Sequence, residues 1–221
     1  MLEAAIFDMD GLLVDSEPLW CRAEQQVFPK VGLHLTEEMC RRTTGVRLDE
    51  VVRYWFSRQP WSGPTVEEIE AQIIAVVCQL VASEARPMAG VEPVLAFFRQ
   101  RGFRIALASS SSSRLIQVVV DRFALGAYFD LLQSAETEPY GKPHPGVFLT
   151  AARRLGVEPT RCLAFEDSLT GLIAAKAARM KVVVVPAPQD FGQSRFDLAD
   201  LQLRSLAEFT QEHLARLQDR G

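Results

Sequence analysis

Cysteine and histidine are scarce in this chain of 221 residues, which has four of the former and three of the latter. Cys21, Cys40, Cys78 and Cys162 are widely scattered, no Cys-x-x-Cys pair occurs, and no histidine stands beside them at zinc-ligand spacing. That excludes a zinc-ribbon site and a disulfide scaffold, and the expectation is reduced, mostly buried thiols. An excess of positive charge is also lacking. Lysine and arginine number 24 against 28 acids, a net charge of −4, so a broad nucleic-acid face is excluded as a partner surface. No apolar run approaches the roughly 18 residues that a bilayer-spanning helix needs. Residues 1–8 carry no basic n-region and reach an acid early, unlike a secretory signal. The expectation is a cytoplasmic protein, monomeric or weakly homo-oligomeric, with neither a membrane nor a nucleic acid as partner.

What is present is enough apolar content, 48% of residues, to bury a sizeable core. Ala4-Ala5-Ile6-Phe7 is a short apolar run stopped by Asp8, as a buried strand would be. Similar runs at 103–108, 131–135, 162–165 and 182–185 end in a serine tract, a loop, an acidic pair and a proline. Helical patterns lie between them, including 94–101, closed by Gly102, and 147–155, closed by Gly156. Strands alternating with helices predict a doubly wound, Rossmann-like parallel sheet of the α/β class. About 70 residues separate the first two strands, too many for a plain connection. Helical patterns at 18–28, 36–42, 48–58 and 66–84 fill that stretch. The expected division is therefore an α/β core of residues 1–15 and 88–221 with an inserted helical cap, 16–87. The stripe Ile69, Ile73, Val76, Val77, Leu80 and Val81 reads as the core of that cap.

Ligands of such sheets bind outside the carboxyl ends of the strands, where the chemistry-bearing residues of this sequence collect. Asp8 and Asp10 flank the end of the first strand, and Gly11 lets the backbone turn sharply behind them. Glu166 and Asp167 follow the fourth strand, Ser109 and Ser110 the second, and Lys142 the third. Carboxylates crowded without cysteine or histidine suit a hard cation, Mg²⁺ or Mn²⁺ in place of it, held by Asp8, Asp10, Asp167 and Glu166. Lys142 offers an ammonium, and Ser109 with the Ser110 amide offers neutral donors, for a phosphoryl group. With Asp8 as nucleophile and Asp10 as proton donor and acceptor, the set fits phosphoryl transfer. Each feature alone also fits something plainer: a turn for Asp8 and Asp10, a helix cap for the serines, a solvated loop for Lys142.

Taken in order, Asp8-Met9-Asp10-Gly11, the strand running into Ser109, Gly141-Lys142-Pro143 and Phe165-Glu166-Asp167-Ser168 resemble the four motifs of the haloacid dehalogenase-like (HAD) hydrolase superfamily, along essentially the whole chain. The insertion from Asp15-Ser16-Glu17 resembles the cap of its beta-phosphoglucomutase-like branch. Arg58-Gln59-Pro60-Trp61 and Val184-Val185-Pro186-Ala187-Pro188 are similar to stretches of its hexitol phosphatases, also described as 2-deoxyglucose-6-phosphatases. The resemblance implies that Asp8 is the nucleophile and a metal ligand, that Asp10 is the acid/base and lends the metal its carbonyl, and that Asp167 completes the protein ligands, with Glu166 beside it. It implies that Ser109, Ser110 and Lys142 hold the phosphate, and that Arg47, in the cap loop Gly45-Val46-Arg47, faces the sugar or a second phosphate. Mutases of the branch carry a histidine where Trp20 stands, so hydrolysis of a small phosphorylated sugar or polyol is expected. A phosphomutase, a phospho-aspartate signalling receiver and an inactive sugar-phosphate binder are the alternatives.

Overall fold

The computed structural model describes residues 1–219; positions 220 and 221, the end of the expected core segment, lie outside the described residues. Six strands, β1 (Ala4–Phe7), β2 (Arg104–Ser109), β3 (Leu131–Ser134), β4 (Cys162–Glu166), β5 (Lys181–Val184) and β6 (Leu201–Gln202), form a parallel sheet in the order β3-β2-β1-β4-β5-β6. The expected doubly wound α/β fold is the one observed. β1 lies at the centre with β2 on one side and β4 on the other, so the strand order reverses where Asp8 emerges. That is where the fold opens a crevice for a ligand.

Strand alternation divides the core in two. Ala5 and Phe7 face one apolar cluster, and Ala4 and Ile6 the other. On the first face Phe7 stacks on Phe165 at 4.5 Å, and Phe98 of α5 (Val91–Gln100) meets both rings edge-on. The second face is rich in alanine. Ala4, Ala106, Ala108 and Ala164 admit close approach of α7 (Gly146–Leu155) and α8 (Leu169–Ala177). α6 (Ser113–Arg122) starts with the Ser112 hydroxyl accepting from Leu115 N, which satisfies one otherwise orphaned amide.

Between β1 and α5 run α1 (Glu17–Val27), α2 (Glu37–Arg41), α3 (Leu48–Arg58) and α4 (Val66–Glu84). α4 opens with a Thr65–Glu68 capping box and buries Ile69, Ile73, Val77 and Val81, packing on α1, α3 and α6. The chain enters and leaves this helical insertion side by side. Val14 bridges Pro87, Asp15 N donates to Arg86 O (3.0 Å) and Met88 N to Leu13 O (3.0 Å).

Several boundaries differ from those read in the sequence. β2 and β4 each run one residue further, through Ser109 and Glu166, because those residues still pair with Ser134 and Val184. α5 begins at Val91 rather than at position 94. β6, two residues long, and α9 (Gln211–Asp219), which buries only Leu214 and Leu217, escaped sequence reading. No described helix is long and apolar enough to cross a membrane.

Candidate active site

The site assembles at the carboxyl ends of β1, β2 and β4. Asp8 follows β1 directly, its amide donating to Phe165 O (3.0 Å) and so extending the ladder to β4. Beyond it the chain turns at Gly11, whose φ of +72° favours glycine. A Cβ there would lie 2.2 Å from Asp167 Oδ2, so the turn and the acid that follows β4 occupy one crowded space.

Lys142 reaches this space from the loop before α7. Its Nζ stands 2.6 Å from Asp8 Oδ1, 2.6 Å from Glu166 Oε1 and 3.2 Å from Ala108 O, over the Phe148 ring, and the residue is only 3% exposed. Alternation in β4 turns Glu166 to the same face as Ala164, beneath α8. There Gly171 makes room for it: a Cβ at Gly171 would lie 1.9 Å from Glu166 Oε1. The other oxygen, Oε2, accepts from Asp167 N, Ser168 N and Ser168 Oγ.

Asp8, Glu166 and Asp167 place carboxylate oxygens within 4.8 Å of one another. Three acids, two of them buried, surround one ammonium, so the cluster is short of positive charge. Burial, with Glu166 and Asp10 nearby, pushes the Asp8 carboxyl up to about 8 despite Lys142. Burial and the charges of Glu166 and Asp8 raise Asp167 well above the carboxylate range. Burial opposes the charge of Lys142, but Asp8 and Glu166 outweigh it and hold the ammonium above its ordinary value. An all-oxygen, charge-deficient cluster of this kind fits a hard divalent cation.

Asp10 projects to the other side of the turn. Its Oδ1 accepts from Ser16 Oγ (2.6 Å) and Trp20 Nε1 (2.9 Å), and its Oδ2 from Ser111 Oγ (2.6 Å) and Ser109 Oγ (3.4 Å). Two of these donors come from β2 and its loop and two from the entry to α1. Asp10 therefore joins core to insertion. Ser16, Trp20 and Ser111 were not singled out for this role in the sequence. The one-turn spacing of Ser16 and Trp20 and the two-residue spacing of Ser109 and Ser111 are the signals that would have marked them.

A cavity of about 1140 Å³ lies over the site, lined by Asp8, Asp10, Ser109, Ser110, Lys142 and Asp167 from the sheet side and by Arg47 and α1 from the insertion. Ser110 Oγ points to Gly45 O of the insertion at 3.5 Å. Glu166 is fully buried and does not line the cavity.

Besides lining the cavity, Arg47 has partners that the sequence did not indicate. Its guanidinium clamps Asp49 (2.6 Å) and donates to Ala135 O (3.1 Å) and Glu138 O (2.8 Å), while Gly141 N donates to Glu50 Oε1 (2.9 Å). The partners of Arg47 fasten the insertion onto the loops after β3.

A parallel sheet that gathers carboxylates, a buried lysine and serines at its switch point, beneath a helical insertion, defines an α/β enzyme of the hydrolase class. The family model of haloacid dehalogenase-like hydrolases matches residues 2–179, and the chain belongs to that family. Several curated relatives of the chain are named as phosphatases. It is 47% identical to hexitol phosphatase B of Escherichia coli K12 over 96% of both chains. It is 32% identical to a phosphorylated carbohydrates phosphatase of Thermotoga maritima, over 80% of this chain and 82% of that one. Among solved structures it is similar to CbbY from Rhodobacter sphaeroides in complex with phosphate, at 29% identity and a TM-score of 0.86, over 97% of this chain and all of the other.

Proposed function

We propose that this chain is a Mg²⁺-dependent phosphatase of small phosphorylated sugars or sugar alcohols, of the hexitol phosphate or 2-deoxyglucose-6-phosphate type, working through an aspartyl-phosphate. The observation that carries the reading is Lys142 bridging Asp8 and Glu166 beside Asp167, at the end of the central strand. In this reading Asp8 attacks phosphorus and the P–O bond to the sugar breaks. Asp10 gives the departing alkoxide a proton and then takes one from the water that opens the phospho-Asp8 bond. Lys142, Ser109 and Ser110 hold the phosphoryl oxygens. Asp8, Asp167 and the Asp10 carbonyl would hold the metal, with Glu166 behind them steadying Lys142 and the Asp167 turn. Bound there, the cation would supply charge that offsets repulsion between phosphate and acids. Residues 16–87 would form the cap, hinged where Val14 and Pro87 pair, closing over the site to exclude water.

Hydrolysis is favoured over a phosphomutase because none of the three histidines lines the cavity, and the indole of Trp20 occupies Asp10. A signalling receiver would have no use for a cap over the site. The test is phosphate release from a series of sugar and polyol monophosphates, with Mg²⁺ and with a chelator. Metal-dependent release from members of the series is expected. Absence of release from every member, or release that chelation leaves unchanged, would reject the reading.

A further inference from the structure

Two of the four cysteines meet in the insertion. Cys21 of α1 donates to Cys40 of α2, with 2.8 Å between the sulfurs, and both residues line the cavity. Cys78 and Cys162 are buried elsewhere, in α4 and β4, where Cys162 donates to Glu158 O. A disulfide holds its sulfurs about 2.0 Å apart, so a bond asks Cys21 and Cys40 to close by only about 0.8 Å.

The two thiols are not equivalent. Cys21 is half-buried at the cavity wall, whereas Cys40 is 8% exposed and donates to the carboxyl of Glu24, itself buried behind it. Burial first, then the bond from Cys21 and the charge of Glu24, holds the Cys40 thiol above its ordinary value, so it keeps its proton. An oxidant that enters the cavity therefore meets Cys21 first and finds Cys40 in place beside it. A reachable thiol with a second one poised to resolve it is a feature of redox-sensing sites.

What the pair would fasten bears on the site. Trp20, next to Cys21 on α1, holds Asp10 through its indole at 2.9 Å. α2 runs on into Gly45-Val46-Arg47, which meets Ser110, Ala135 and Glu138 of the sheet side. A bond between positions 21 and 40 joins two segments of the insertion that touch the core, and turnover under a lid requires such segments to shift.

We propose that Cys21 and Cys40 are a reversible redox site: a low-molecular-weight disulfide such as oxidised glutathione converts them to an internal disulfide that restrains the cavity wall and slows turnover. Cys21 attacks one sulfur of the oxidant, whose S–S bond breaks. The first small thiol leaves with the proton of Cys21, and a mixed disulfide remains. Cys40 then attacks the Cys21 sulfur, its proton passing by way of Glu24 to the second departing thiol. Two protein thiols are oxidised, and one small disulfide is reduced to two thiols. Excess reducing thiol runs the steps backward. The bond stands apart from the phosphatase reading above, and only its effect on turnover rests on that reading.

The experiment equilibrates the wild-type enzyme, Cys21→Ser and Cys40→Ser in buffers of reduced and oxidised glutathione, alkylates the free thiols and maps the peptides by mass. In wild type the peptides holding positions 21 and 40 should appear joined, the joined form growing with the oxidised share and vanishing in dithiothreitol. Cys40→Ser should stop at one glutathione on Cys21. The oxidised wild type should lose about 10-fold or more in kcat/KM for sorbitol 6-phosphate and recover it on reduction, while Cys21→Ser loses none of its own activity to the treatment. No joined peptide at any ratio, or one that dithiothreitol does not reverse, would overturn the proposal. A joined peptide with unchanged turnover would overturn the restraint on the site. A protein that forms the bond but, even when reduced, releases phosphate from no sugar or polyol phosphate would overturn the phosphatase reading and the effect on turnover, and leave the redox pair standing.

Discussion

Replacing Lys142 with methionine removes the ammonium that Asp8 and Glu166 share at 2.6 Å each and leaves Asp8, Glu166 and Asp167 facing one another. Breaking a buried ion pair by deleting one partner costs about 3–5 kcal/mol. For a chain of this size that corresponds to a fall in Tm of roughly 10 °C or more. The loss should depend on pH with a definite sign. Asp8, ordinarily near 3.8, is already pushed up to about 8 with the lysine present; without it, Asp8 and Asp167 rise further. The folded variant then keeps protons that the unfolded chain releases from about pH 4 upward, so its stability falls as pH rises. The lysine's own contribution stays complete across this range, since its folded value lies above its ordinary 10.5 and is lost only above that. Melts of both proteins in chelator at pH 5, 7 and 9.5 should show one gap at pH 5 and 7, where Asp8 keeps its proton in both folded proteins, and a wider one at pH 9.5, above the value of about 8 at which wild type alone can release it. A gap of one size at all three values would reduce Lys142 to packing and refute the charge reasoning.

Three further outcomes can be checked on the same footing. Arg47→Ala cuts the ties to Ala135 O and Glu138 O; steady-state kinetics should show kcat/KM reduced about 10-fold, with stability lowered by no more than about 1 kcal/mol. Gly171→Ala places a methyl within 1.9–2.2 Å of the Glu166 carboxyl, so denaturant melts should show a cost of about 1–3 kcal/mol and phosphate release should fall as Glu166 is pushed off Lys142. Glu24 is raised from 4.5 to about 7 by burial, so ionising it weakens the fold progressively between those values. Glu24→Gln should therefore match wild type near pH 4.5 and melt higher above pH 7, by up to roughly 3 kcal/mol.

The sheet and the acids at its strand ends were readable in the sequence because a central parallel strand is a continuous apolar run, and the first polar residue after it marks where the ligand side begins. Asp8 and Ser109 were found that way, and Lys142 from the Gly141-Lys142-Pro143 loop after the third strand. Glu166 was recognised as an acid of the site, but its place behind the cavity depends on β4 running one residue further, which pairing with β5 decides. The ties of Arg47 were not legible because two of its partners are carbonyls some 90 positions away, and periodicity carries no record of which loop a helix start will meet. The hold of Trp20 on Asp10 was invisible for the same reason: it exists only when the insertion folds back over the core. Glu24 sat unremarked on a helix whose buried side could be read but whose cavity side could not. β6 and α9 offered too few buried residues for a pattern.

The central claim is that Asp8 is the atom donor to phosphorus, and Asp8→Asn tests it most directly because amide and carboxylate are nearly the same size. Phosphate release from sorbitol 6-phosphate in Mg²⁺ should fall by at least about 10³-fold, in a variant whose melt shows it folded. Release within tenfold of wild type would contradict the account.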